Sequence, residues 1–119
     1  MSKHIKFVIK KEQEVIASEV ELADNFLLRA KGLMFSSGIG DRDGLLIEPC
    51  NSIHTFFMNY PIDVIFLSSD NKVVKVFKFL KPWRMTRMYF SASKVLEMVA
   101  GSLKTELNPG DQLDIQCTS

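Results

Sequence analysis

Cysteine is scarce, with only Cys50 and Cys117 in 119 residues. A disulfide-built domain of this size normally carries four or more, so reduced thiols and a cytoplasmic location are expected. No run approaches the ~18–20 apolar residues of a membrane span. The N-terminal Met1-Ser2-Lys3-His4-Ile5-Lys6 is charged where a signal peptide would be apolar. Net charge is also nearly absent, at +1. A global field able to hold nucleic acid or an anionic membrane is thereby excluded, and neither a nucleic-acid partner nor membrane insertion is expected. Repeats, low-complexity tracts and linkers are lacking too, which leaves one domain over residues 1–119, expected to be a monomer.

What is present favours strands. Nine phenylalanines and abundant Val and Ile shift the propensity that way. Ile5, Phe7 and Ile9 alternate with Lys6 and Lys10, and Glu14 to Leu22 can return as a second strand. Asp24 has the position of a helix N-cap, with Phe26, Leu27 and Ala30 as the buried stripe and Gly32 near the end. Further strands are read at Gly44 to Glu48, Val73 to Phe79, Lys94 to Val99 and Asp111 to Cys117, and a single helical turn after Ser102. Turn clusters at such short intervals predict a mainly β fold, an antiparallel β-sandwich, jelly-roll-like or barrel-like, with one or two short helices.

The densest stretch is Cys50 to Leu67, read as two apolar strands joined by an Asn59-Tyr60-Pro61 turn. It carries His54 and Asp63, the latter set between Ile62 and Val64. A carboxylate in such a run must find a partner, because desolvating it alone is costly. A two-residue loop would place His54 and Asp63 on one side of the sheet. A three-residue loop would separate them and leave Asp63 to pair with Arg29 as a bridge from helix to sheet.

Several blocks occur in a defined order: Arg29-Ala30-Lys31-Gly32-Leu33-Met34, Gly44-Leu45-Leu46, Ser52-Ile53-His54-Thr55-Phe56, Pro61-Ile62-Asp63-Val64-Ile65-Phe66, Pro82-Trp83-Arg84, Val95-Leu96-Glu97, Gly101 and Gly110-Asp111. On them, the chain from Ala23 onward resembles the domain of unknown function 192 family of bacteria and archaea. That resemblance implies a jelly-roll-like β domain and implies no activity, so no catalytic residue is carried over. It also implies that some relatives are exported, from which this chain's charged N-terminus departs.

The chemistry-bearing candidates are Arg29, His54, Asp63, Trp83, Arg84 and Glu97. Cys50 and His54 form a C-x3-H pair, but in a strand they stand about 13 Å apart at ~3.3 Å per residue. One zinc ion cannot reach both, so no metal and no cofactor is expected. A Cys50-His54-Asp63 hydrolase meets the same separation and has no evident oxyanion hole. Trp83-Arg84 after Pro82 reads either as a groove for an anionic or carbonyl ligand or as a lid on one end of the fold. Glu97 shares the face of Val95 and Val99 and needs a basic partner.

Between Lys72 and Lys94 there are basic residues at 72, 75, 78, 81, 84, 87 and 94 and no acid, whereas the chain beyond is acidic. This is either a basic patch for a phosphate-bearing ligand or a set of strand ends balanced in space by the acids. Three function classes follow. The first is a small ligand-binding or accessory module with a polar pocket near His54 and Asp63. The second is a hydrolase or transferase using His54 with Asp63 or Glu97 as acid-base groups. The third is a protein-interaction domain using exposed aromatics such as Phe77, Trp83 and Tyr89. A non-enzymatic role with an unknown small-molecule or protein partner is preferred.

Overall fold

The computed structural model describes residues 6–23, 43–55 and 60–118. Within them run β1 (Lys6–Lys11), β2 (Glu14–Ala23), β3 (Gly44–Ile47), β4 (Ile62–Leu67), β5 (Val73–Leu80), β6 (Lys94–Val99) and β7 (Asp114–Cys117). They form one sheet in the order β5-β4-β6-β3-β2-β1-β7. The mainly β reading therefore holds, with one difference: β2 and β3 pair in parallel, so the sheet is mixed. The expected helix over Asp24 to Gly32 lies outside the described residues.

The two ends of the sheet meet. Val73 at the start of β5 donates its amide to the Asp111 carbonyl at 2.8 Å and accepts from the Gly110 amide at 2.7 Å. The Leu113 amide then reaches the Asn71 carbonyl at 2.9 Å. This closure gives a barrel-like curl with an inside and an outside. Ile9, Ala17, Val20, Leu46, Ile65, Leu67, Leu96 and Met98 fill the inner cluster. Leu45, Ile47, Ile62, Val64, Phe66 and Val95 form an outer cluster, onto which Cys50, Ile53, Tyr89 and Ala92 pack from loops.

Coverage on both faces explains why Ile62–Leu67 is buried at every position and reads as a continuous apolar run. It also corrects the expected hairpin. β4 has β5 on one side and β6 on the other. No edge remains for the Ile53 segment, and a two- or three-residue loop register between them does not arise.

The helical turn expected after Ser102 is absent. Leu103, Thr105 and Leu107 are buried while Lys104 and Glu106 are exposed. That period of two is extended chain, which a helix cannot produce.

The closure is stapled by charge. Lys11 Nζ donates to Asp111 Oδ2 at 3.0 Å and to the Glu106 carbonyl at 3.2 Å. The same Oδ2 accepts the Asn108 amide at 2.8 Å. That amide, and then Lys11, hold the Asp111 carboxyl below its ordinary 3.8. The hydrogen bond to Asp111 holds the Lys11 ammonium above its ordinary 10.5.

Two limbs of pH dependence follow. The aspartate contribution is complete above about 3.8 and is lost as pH falls through the depressed folded-state value. The lysine contribution is complete below about 10.5 and is lost as pH rises through the raised value. Denaturation across pH should show both limbs weakened in Asp111→Asn; limbs identical to the unsubstituted protein would remove the staple from the explanation.

Candidate functional site

Asp63 is fully buried at the head of β4, on the inner side with Ile65 and Leu67. Its Oδ1 accepts the Phe79 amide at 3.0 Å, and its Oδ2 accepts the Gly101 and Leu103 amides at 3.0 and 3.1 Å. A register irregularity makes this possible. Ile62 pairs with Leu80 but Val64 with Phe77, so β5 bulges opposite Asp63. Phe79 there takes a φ of 56°, and its amide leaves the ladder for the carboxylate. Gly101 has a φ of 88°, a left-handed conformation that suits glycine and lets the turn after β6 fold onto the same oxygen. The partner that this sequence position demanded is the backbone itself. The carboxylate ties β5 and the chain after β6 to β4.

Glu97 is also buried, on β6. It lies opposite Val64 while Asp63 lies opposite Met98, so the two acids project from opposite faces of neighbouring strands. Arg29 lies outside the described residues.

His54, Trp83 and Arg84 are brought together. The segment 51–55 runs antiparallel to 83–89 as an irregular ribbon over the outer cluster. The amides of Tyr89 and Thr86 donate to the carbonyls of Asn51 and Ile53, each at 2.9 Å. The Thr55 amide donates to the Arg84 carbonyl at 2.7 Å, and Trp83 returns to the Thr55 carbonyl at 2.9 Å. His54 forms a bridge with Met85 and is exposed.

Thr55, fully buried, rivets the ribbon. Its hydroxyl donates to the Lys81 carbonyl at 2.6 Å and accepts the Arg84 amide at 2.9 Å. Tyr89 anchors the other end by packing on Phe66, with ring centroids 4.8 Å apart, and touching Phe77. Lys75 and Arg87 cap these two rings as cations, each 5.5 Å from a centroid.

Large apolar side chains remain in water beyond this anchored layer: Phe79 at 59% exposed, Trp83 at 57%, Met85 at 70%, Met88 at 50% and Phe90 at 82%. Of the aromatics expected to be exposed, Trp83 is so, while Phe77 and Tyr89 are partly buried against the outer cluster. Met85, Met88 and Phe90 were not singled out by sequence reasoning. Their signal was the interleaving of apolar and basic residues from Lys81 to Phe90 without an acid. Lys75, Lys78, Lys81, Arg84 and Arg87 are all exposed. Each sits among or beside these apolar side chains along the chain.

A recess of about 340 Å³ at the Asn51 end of the ribbon is lined by Pro49, Cys50, Asn51, Ser52, Ala92 and Ser93. The Cys50 thiol donates to the Ser52 carbonyl at 3.0 Å. None of the six candidate residues lines it. Among the described residues, no three His, Cys, Asp or Glu side chains converge as a metal site.

Residues 7–115 match the DUF192 family model, described as an uncharacterized ACR family. The chain belongs to the DUF192 family. A UPF0127 protein of Pyrococcus horikoshii is 43% identical over 103 residues, covering 80% of this chain and 85% of the relative. One from Thermococcus kodakarensis is 37% identical over 99 residues, covering 78% of this chain and 62% of the relative.

Among solved structures, a protein of unknown function from Novosphingobium aromaticivorans superposes with a TM-score of 0.76 at 23% identity, covering 93% of this chain and 84% of that one. A candidate transcription regulator from Sinorhizobium meliloti gives 0.74 at 22%, covering 95% and 94%. These likenesses show the fold alone. The family is described as uncharacterized and brings no function to this chain. Among the described residues no helix is long and apolar enough to cross a membrane.

Proposed function

We propose that this protein is a non-catalytic binding module whose contact surface is the riveted ribbon from Trp83 to Phe90. The carrying observation is the exposure of Met85 and Phe90, at 70% and 82%, on a backbone that Thr55 and Tyr89 hold in place. Large apolar side chains left exposed along one short segment of a fixed scaffold point to a contact site. A small-molecule pocket built on His54 and Asp63 has less support, since the Asp63 carboxylate is fully buried and accepts three backbone amides. A cytoplasmic location belongs to the same proposal, supported by the scarcity of cysteine, two in 119 residues.

A contact surface must be dispensable for folding. Met85→Ser with Phe90→Ser should therefore change unfolding free energy by no more than about 0.5 kcal/mol per site. It should also abolish most binding of an apolar fluorescent dye to the native protein. A loss of more than about 2 kcal/mol would mean that these side chains serve the fold's own packing, and the reading would fail.

A further inference from the structure

We propose that the occupant of this surface is an anionic lipid bilayer, met peripherally at its headgroup layer. The inference rests on the ribbon being a contact surface and adds what it contacts.

Shape comes first. Met85, Met88 and Phe90 are 50–82% exposed, and none of them lines the recess of Pro49 to Ser52 with Ala92 and Ser93. A folded partner or a peptide gains affinity by filling a concavity or burying a matched face. Exposed, adaptable side chains that line no recess instead suit a fluid interface that closes around them, and methionine adapts readily. Between the turns at Trp83 and Phe90, the segment from Arg84 to Tyr89 spans at most ~17 Å. It can lie along a membrane plane with its apolar side chains within the ~5–10 Å headgroup–acyl boundary.

Charge decides the kind of membrane. Lys78, Lys81, Arg84 and Arg87 are exposed among these apolar residues. Lys11 pairs with Asp111 and Lys72 with Asp70, whereas among the described residues Lys78, Lys81 and Arg84 show no carboxylate partner and Arg87 lies over the Tyr89 ring, so this group of cations can meet an external anion. Net charge of +1 does not oppose this: residues 72–94 hold seven basic side chains and no acid, and the Asp63 carboxylate, which reaches the Phe79 amide, is buried and taken up by three backbone amides. Asp111 meets β5 at its first residue, Val73. Lys78 lies five residues further along that strand, about 16 Å away. That is roughly two Debye lengths at physiological salt, so Asp111 does little to cancel the Lys78 charge. Each cation near an anionic surface strengthens binding about fivefold.

The chain's single tryptophan reports on the site, because Trp83 lies within it and is 57% exposed. The intact protein would be titrated with vesicles of phosphatidylcholine alone and of phosphatidylcholine mixed with phosphatidylglycerol, following Trp83 emission and co-sedimentation. Binding and a blue shift are expected on the anionic vesicles alone, weakening as salt rises. Arg84→Ala with Arg87→Ala should weaken binding about 25-fold, and Met85→Ser with Phe90→Ser by at least about tenfold. Inorganic phosphate at equal phosphate concentration should neither shift the emission nor compete.

Absence of binding to anionic vesicles at low salt overturns the proposal, as does binding that ignores both double variants. Displacement by free phosphate would move the assignment to a soluble anion and overturn it too. If vesicles fail but poly-glutamate shifts Trp83 emission, the partner is an acidic protein. The lipid assignment then falls while the contact-surface reading stands, since that reading is judged by the stability and dye-binding of the Met85 and Phe90 variant.

Discussion

Asp63→Asn should destabilise the protein by about 3 kcal/mol, although the two side chains have nearly the same size and shape. The carboxylate accepts from Phe79 on one oxygen and from Gly101 and Leu103 on the other. An asparagine presents one acceptor and one NH2 group. Whichever way it is turned, at least one backbone donor meets another donor in a site with no solvent exposure. Hydrogen bonds to a charged acceptor contribute about 1.5–3 kcal/mol each, and an orphaned buried donor costs about 1–3 kcal/mol. Domains of this kind have only about 5–15 kcal/mol in total, so the variant should unfold at much lower urea. Equilibrium denaturation measures this directly. A change below about 1 kcal/mol would show that the three amides are satisfied some other way.

Phe66→Ala should cost about 3–5 kcal/mol. Phe66 is fully buried at the centre of the outer cluster, edge-on to Phe77 and against Tyr89. Truncation leaves a cavity between the sheet and the ribbon that covers it, and neither wall can collapse freely because backbone bonds to Ile53 and Thr55 hold the ribbon. Tyr89 loses its platform, so the effect should also be local. Amide exchange at Thr86 and Tyr89 should accelerate more than at Val20 or Leu46 in the inner cluster. Phe66→Leu, which keeps most of the volume, should cost much less. An alanine variant within about 1 kcal/mol of the parent would mean that the ribbon is not anchored through this aromatic group.

These expectations and the binding proposal share a cause. The layer that covers β4 from outside makes Phe66 a core residue, and the same layer presents Met85 and Phe90 outward. Weakening its inner side should loosen its outer side as well, so Phe66→Ala should also reduce apolar dye binding.

Local chemistry was legible along the chain. Alternation placed β1, β5 and β6 within a residue or so of their observed bounds, and Lys94–Val99 lies where its pattern put it. The apolar run Ile62–Leu67 was legible as a strand, though not that both its faces are covered, and the desolvation cost of a lone carboxylate announced that Asp63 had a partner. The partner itself was not legible. Its three amides lie 16, 38 and 40 residues away and belong to a bulge and a turn whose positions depend on the whole sheet.

The same holds for the Cys50 to Thr55 segment, whose apolar pattern reads as strand. It docks on 83–89 because β5 and β6 already occupy both edges of β4. Periodicity and desolvation act within a few residues, so the sequence by itself determined which segments are strands and which side chains require burial or a partner. Pairing, register and the outward face of the ribbon come from contacts between distant segments competing for the same edges. Only the tertiary structure decided those.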